Sequence, residues 1–196
     1  EHAVLHLLYA RFWHLFLYDQ NKVQSPEPFR KLVHQGLILG ADGEKMSKSR
    51  GNVINPDEIV DGYGADSLRL YEMYMGPLEA STPWSMEGIR GMQRFLQRVW
   101  RNFFNDAGKS KIGGEATEDQ LRTMHKSTER VCDHIENLRF NTAIASLIEW
   151  NNELVAINTI PQTVASVFLR LLNPFAPHIT EEIWSTFEDD LLINNT

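Results

Sequence analysis

From residue 85 to near its end the chain repeats apolar residues at three- and four-residue spacing, which restricts this part to a packed bundle of helices. Residues 85 to about 105 carry Ile89, Phe95, Leu96, Val99 and Phe103 on the side that faces a core. Thr117-Glu118-Asp119-Gln120 has the form of a capping box and opens a helix to about Asn137. Asn141 is expected to cap the next helix, with Ala143, Ile144, Leu147, Ile148 and Leu154 on one face. Another runs from about Gln162 to Leu172 and stops before Pro174, because a proline disfavours helix in the residue before it. A last short helix is expected from Thr180 to Phe187, burying Ile183 and Trp184. Gly108 to Gly114 reads as a flexible, basic linker. Nothing in this bundle has catalytic spacing.

The front of the chain has a different character. Residues 1 to about 20 read as a helix, with Val4, Leu5, Leu8, Phe12, Leu15 and Phe16 on one face. Ser25-Pro26-Glu27-Pro28 is a loop, and Leu32 to Gly40 suggests a short strand closed off by glycine. A helix and a strand cannot close a parallel sheet, so this reads as the tail of an α/β domain whose upstream part lies elsewhere. Asn55-Pro56-Asp57-Glu58 is a helix start: Asn55 caps, Pro56 fits the first turn, and the acids favour the positive end of the dipole. A second helix spans Ala65 to Met75 before Gly76-Pro77 ends it.

Between that strand and that helix start lies Gly40-Ala41-Asp42-Gly43-Glu44-Lys45-Met46-Ser47-Lys48-Ser49-Arg50-Gly51-Asn52. Glycines let backbone approach an anion, and ammonium groups neutralise it without fixed geometry. The spacing of Lys45 and Lys48 therefore suits a polyphosphate, while a solvated hairpin tip is the plain alternative. His2 and His6 stand one helical turn apart beside Glu1. Such a pair can ligate a metal, sit in a core, or line a polar pocket; no third ligand follows at metalloprotease spacing.

The 196 residues carry a formal charge of −7, which taken alone disfavours a nucleic-acid partner. The charge is uneven, however. Arg90, Arg94, Arg98, Arg101, Lys109 and Lys111 face only Glu87 and Asp106 within 85–111, whereas residues 178–196 hold acids and no Lys or Arg. Repeats of four, four and three put the arginines in one helical stripe, a phosphate-binding face or simply a solvated one. One cysteine, Cys132, excludes an internal disulfide framework and is expected to be a buried small hydrophobe in a reducing compartment. No apolar run is long enough for a transmembrane helix.

Lys45-Met46-Ser47-Lys48-Ser49 is the K-M-S-K-S signature, and on it the chain resembles the class I aminoacyl-tRNA synthetases. Glu1-His2-Ala3-Val4-Leu5-His6, Tyr63-Gly64-Ala65-Asp66-Ser67-Leu68-Arg69 and Asn173-Pro174-Phe175-Ala176-Pro177-His178 look like the leucyl-tRNA synthetase family of the bacterial or organellar type. The resemblance runs nearly end to end and is weakest over 106–135. It implies a mainly α fold: the end of a class I Rossmann-type catalytic domain, with one or two strands, the K-M-S-K-S loop and linking helices, then an antiparallel helical bundle. The implied boundaries are 1–54 for the catalytic piece, 55–84 for stem-contact or linking helices, and 85–196 for the anticodon-binding-type bundle.

The resemblance also implies chemistry. Leucine would be activated with ATP, accompanied by Mg2+, to leucyl-adenylate and then transferred to the 3′ end of tRNA(Leu). Lys45 and Lys48 would be catalytic, and Lys45, Met46, Ser47, Lys48, Ser49, Ile38 and Glu1 would contact ATP. His2 and His6 would line the aminoacyl-adenylate pocket, which displaces the metal reading, and no metal site is implied. Arg94, Arg98 and Arg101 would meet tRNA. The setting would be cytoplasmic, or an organellar matrix in a eukaryote, with no membrane and a monomeric parent enzyme. The family's H-I-G-H signature is absent from these residues and is expected upstream, so the piece alone is expected to be inactive. The alternatives are a truncated, non-catalytic tRNA-binding module, or a synthetase for valine, isoleucine or methionine.

Overall fold

A computed structural model describes residues 3–187 and residue 193. By the contacts they make, the residues divide into two units, Glu1–His34 and Gln35–Thr196.

In the first unit a five-residue π-helical turn, Ala3–Leu7, leads into α1, Leu8–Asp19. The single helix expected here is thus corrected to a wide turn followed by an α-helix, and Leu7 offers α1 no side-chain cap. The apolar face does not close on itself: Phe12 is 62% exposed and Trp13 58%, and no residue of α1 is buried. Phe12, Trp13 and Phe16 pack edge to face along it, with centroids 5.8 and 5.9 Å apart. Arg11 grips the carboxylate of Glu27 with its Nε and Nη2, tying α1 to the proline loop; that hydrogen bond, first, and the guanidinium charge hold the Glu27 carboxyl below its usual range.

In the second unit the strand expected over Leu32 to Gly40 is corrected to two residues, β1, Ile38–Leu39. Its lead-in is pinned without being a strand: the Gly36 N–H donates to the Leu78 carbonyl at 2.7 Å, and the Leu37 N–H to Ser81 Oγ at 3.1 Å. Two helices follow, α2, Pro56–Tyr63, and α3, Ala65–Tyr74. The Asn55 side chain accepts the Asp57 N–H at 3.1 Å, the cap expected there. Gly64, at φ 87°, separates the two helices, a backbone region costly for a side-chain-bearing residue.

After α3 the chain returns to β1 through β2, Thr82–Pro83, a strand not expected from the sequence. The pairing is parallel, with Ile38 opposite Thr82 and Leu39 opposite Pro83. The Thr82 and Trp84 N–H groups donate to the Leu37 and Leu39 carbonyls, both at 3.0 Å. Pro83 lies between those two donors, where its own missing N–H is not needed by the pair.

The rest is helical: α4, Met86–Phe103; α5, Glu118–Glu136; α6, Phe140–Leu154; α7, Gln162–Leu172; and α8, Pro177–Trp184. Ile89, Met92, Phe95, Leu96, Val99 and Phe103 of α4 are all buried, as their spacing requires. Phe168 of α7 packs edge on to Trp150 of α6 at 5.2 Å and against Phe103 at 5.9 Å. Asn102 donates through Nδ2 to the Asn151 carbonyl and Oδ1, at 2.9 and 2.8 Å, a buried polar tie between α4 and α6. The α3 and α4 helices approach so closely that a Cβ on Gly88 would stand 2.3 Å from the Tyr71 ring, whose hydroxyl accepts the Ser85 N–H at 2.6 Å.

Thr117 and Gln120 form the expected capping box, with bonds of 2.9 and 3.3 Å. Three other expectations are corrected. Asn141 lies inside α6, because Leu138 at φ 57° turns the chain and the helix starts at Phe140. The segment 108–114 is tied down: Lys111 and Gly113 exchange backbone hydrogen bonds with Ile160 at 2.8 and 2.9 Å. The last helix starts at Pro177 and not at Thr180. Cys132 is half-buried.

Candidate functional site

The loop after β1 is organised by its own backbone and by two short side chains. β1 carries β2 on one edge and the Glu44–Lys45 arm on the other, through a Leu39–Lys45 bridge and a Gly40 N–H to Glu44 carbonyl bond of 2.8 Å. The Gly43 N–H closes the turn on the Gly40 carbonyl at 2.9 Å. Met46 is half-buried and, with Ile38 and Ile54, packs against the hydrophobic core. It anchors the loop, and the lysines on either side are left exposed. Residues 47–51 then form a tight turn, with the Arg50 and Gly51 N–H groups donating to the Ser47 and Lys48 carbonyls at 3.2 and 3.3 Å. Ser47 Oγ lies 3.2 Å from Ser49 Oγ, and Arg50 pairs with Glu44 at 3.3 Å.

Two side chains that the sequence reading passed over do much of this work. Asn52 accepts the Ser47 N–H at 2.9 Å and donates to both oxygens of Asp42 at 3.1 and 3.2 Å. Asp42 also accepts the Glu44 N–H at 3.1 Å. That backbone N–H, and then the Asn52 amide, hold the Asp42 carboxyl below its usual range. The signal available in the sequence was an aspartate two residues before the turn's end, the pattern of an Asx turn.

On α4, Arg90, Arg94 and Arg101 are exposed and Arg98 is half-buried. None of the four forms an ion pair among the described residues, and Arg101 donates only to the Gln97 carbonyl of its own helix, at 3.2 Å. The Arg98 Nε is buried without a hydrogen-bond partner, so its stem belongs to the packed surface and its role differs from that of its neighbours.

A third arrangement was not foreseen. Asp66 and Arg69, both on α3, grip the corner between α7 and α8. Asp66 is 7% exposed and accepts the Ile179 N–H at 2.8 Å, His178 Nδ1 at 2.8 Å and the His178 N–H at 3.3 Å. Arg69 donates to the Pro174 and Phe175 carbonyls at 2.8 and 3.3 Å. A carboxylate thus meets the positive start of α8, and a guanidinium meets two carbonyls of the turn that joins α7 to α8.

Of the other expected site residues, Glu1 and His2 lie outside the described residues, and His6 sits 6.2 Å from the Phe29 ring. Ile38 lies in β1 beside the loop. The clefts of about 180 and 310 Å³ beside α3 are lined by Glu72, Met73 and Phe140 among others, and neither includes a residue of 45–49. Lys45 and Lys48 are both exposed, on a loop that also carries Asp42, Glu44 and Arg50.

Residues 9–83 match the family described as tRNA synthetases class I (I, L, M and V), and residues 119–195 match the anticodon-binding domain of tRNA ligase. The chain belongs to the class I tRNA synthetases. Within that family it is 52% identical over 195 residues to the leucine–tRNA ligase of Chlorobium phaeobacteroides (strain BS1), a match that covers 98% of this chain and 24% of that protein. It also superposes on the LeuRS of Agrobacterium radiobacter K84 agnB2, solved as a ternary complex with tRNA and LeuAMS. There the TM-score is 0.82, with 32% identity over 98% of this chain and 27% of that one. The chain spans about a quarter of the length of these relatives.

Proposed function

We propose that this chain supplies the K-M-S-K-S half of the ATP site and the tRNA-binding bundle of a leucine–tRNA ligase. The observation that carries the reading is the loop itself: K-M-S-K-S, anchored on the core by Met46 and tied to β1 by the Leu39–Lys45 bridge, with Lys45 and Lys48 exposed. Identity to a leucine–tRNA ligase favours leucine over isoleucine, valine or methionine as the substrate.

In this reading the leucine carboxylate attacks the α-phosphorus of ATP, the bond to the bridging oxygen breaks, and pyrophosphate leaves with the charge. Lys45 and Lys48 follow that charge as it develops, which lowers the barrier more than it lowers the energy of bound ATP. Ser47 and Ser49 offer hydroxyls to the phosphates, and the backbone at Ile38 borders the adenine. By the family resemblance Glu1 would stand near the ribose, and His2 and His6 would line the adenylate. Mg2+ would arrive on the nucleotide's own phosphates. Asp42 and Glu44, the nearest carboxylates in sequence, are engaged by Asn52 and Arg50, and no group of three possible ligands occurs among the described residues.

Residues 1–54 would act as the catalytic piece, 55–84 as the link and 85–196 as the tRNA-binding bundle. Arg94, Arg98 and Arg101 would meet tRNA phosphates, giving salt-dependent affinity without reading bases. No described helix is long and apolar enough to cross a membrane. We place the activity in a monomeric enzyme of the cytoplasm or an organellar matrix.

The test is ATP–pyrophosphate exchange by the full-length protein with leucine, isoleucine or valine. Leucine-dependent exchange, lowered at least about 100-fold by Lys48→Ala with the KM for leucine unchanged, is the expected result. Exchange that is indifferent to Lys48, or that prefers another amino acid, would sink the reading.

A further inference from the structure

The structure assigns Asn52 and Asp42 as a positioning pair that sets the course of the K-M-S-K-S turn, so that the two lysines are presented from a backbone already in place. The inference rests on the catalytic reading of the loop and adds to it two residues outside the signature.

Asn52 is joined to three separate points of the loop. Its Oδ1 accepts the Ser47 N–H at 2.9 Å, and its Nδ2 donates to Asp42 at 3.1 and 3.2 Å and leans on the Lys45 carbonyl at 3.4 Å. One side chain therefore holds the backbone on both sides of Met46, within one residue of each lysine. Asp42 completes the frame by accepting the Glu44 N–H at 3.1 Å, in the turn that precedes the signature. Gly40 is the third part of the device. A Cβ there would lie 2.5 Å from an Asp42 oxygen and 2.8 Å from Asn52 Nδ2, so the pair fills the space that a side chain would need. Ser47 and Asn52 are only partly exposed, whereas Lys45, Lys48 and Ser49 face outward.

The physical consequence concerns where entropy is spent. A glycine-rich cationic loop that found its shape only on meeting ATP would lose backbone freedom in the reaction itself. A loop framed by Asn52 and Asp42 has lost much of it on folding. The turn then meets the phosphates as a preformed unit, its internal shape already set, which favours preorganised electrostatic stabilisation by the lysines it carries. The Asp42 carboxylate is engaged by two donors, the Glu44 N–H and the Asn52 amide. Neither residue touches the reacting atoms in this proposal; both act through Lys45, Ser47 and Lys48.

The test uses the full-length enzyme and leucine-dependent ATP–pyrophosphate exchange, with Asn52→Asp, the reciprocal double variant Asp42→Asn/Asn52→Asp, and Gly40→Ala. Asn52→Asp sets two carboxylates against each other and is expected to lower kcat about 10- to 100-fold, with the KM for leucine unchanged. Its activity should recover as pH falls and one shared proton rejoins the pair. The double variant restores an amide facing a carboxylate and keeps an acceptor for both the Ser47 and Glu44 N–H groups. It should therefore return kcat to within about threefold of wild type, the non-additivity expected of directly coupled residues. Gly40→Ala should reproduce the single loss. An Asn52→Asp enzyme equal to wild type, a double variant no better than the single, or a parallel rise in the leucine KM would overturn the positioning role. Wild-type enzyme without leucine-dependent exchange would instead overturn the catalytic reading beneath it.

Discussion

The Asp66 carboxylate accepts the Ile179 backbone N–H at 2.8 Å, and so caps a helix that begins more than a hundred residues further along the chain. Within α8 itself Ala176, at the N-cap, offers no side-chain acceptor. The donors left over at the helix start, the His178 and Ile179 N–H groups, are met from α3 instead, with His178 Nδ1 as a third partner. This explains why α8 starts at Pro177. The proline fits the first turn, and a cap was already in place from outside.

Removing that carboxylate leaves three donors without their acceptor. Asp66→Ala is expected to destabilise the fold by about 2–3 kcal/mol, and Asp66→Asn by about 1 kcal/mol, since an amide oxygen can still accept. Urea unfolding measures both. A midpoint unmoved by Asp66→Ala would show that α8 holds its start without α3.

Arg69 works the same corner from the other side, through the Pro174 and Phe175 carbonyls. Arg69→Ala is expected to cost about 1–2 kcal/mol, and Arg69→Lys to recover only part of it, because an ammonium cannot reach two carbonyls with a planar fork. The Asp66→Ala/Arg69→Ala pair should depart from additivity by at least about 0.5 kcal/mol if the two act on one corner. Strict additivity would argue for two independent contacts.

The arginines of α4 separate by burial. Arg94→Ala is expected to weaken tRNA binding across all sequences and to reduce its salt slope by about one, leaving exchange and stability alone. Arg98→Ala should also lower stability by about 1 kcal/mol, since its stem packs and its Nε is buried. A filter-binding salt titration and thermal melts distinguish the two. Equal stability loss at both positions would contradict the assignment.

Glu72 gives a pH prediction. Glu72 is exposed, but partial desolvation at the clefts beside α3 pushes its carboxyl up, an effect that the nearby Arg69 charge partly offsets. A carboxyl raised on folding binds its proton more tightly in the folded chain than in the unfolded one. Its contribution to stability is thus greatest below the usual carboxylate range and declines as pH rises through the raised value. Glu72→Gln should raise the melting midpoint at pH 7 and leave it unchanged well below pH 4. A gain at both would point to packing and not to charge.

How much of this was legible in the sequence depended on how far apart the partners lie. The helices of 85–172, the Asn55 cap and the Thr117–Gln120 box were readable because their determinants are apolar period and side chains two or three residues from the groups they satisfy. The K-M-S-K-S turn was readable for the same reason: its lysines, glycines and hydroxyls are consecutive.

What only the tertiary structure decided is made of distant pairs. The match of β1 to β2 joins Leu37 to Ser81 and Thr82, and no local pattern in Ser81-Thr82-Pro83-Trp84 announces a strand. The start of α8 is set by Asp66, the start of α6 by Leu138 at positive φ, and the course of 108–114 by Ile160. The framing of the loop by Asn52 and Asp42 spans ten residues, beyond the reach of helical or strand periodicity. Periodicity and caps are properties of a few neighbouring residues, so the sequence alone determined which segments are helices and which loop is cationic. The satisfaction of a backbone donor by a remote carboxylate depends on packing, and so the corner at residues 173–179 and the frame of the loop were settled only in three dimensions.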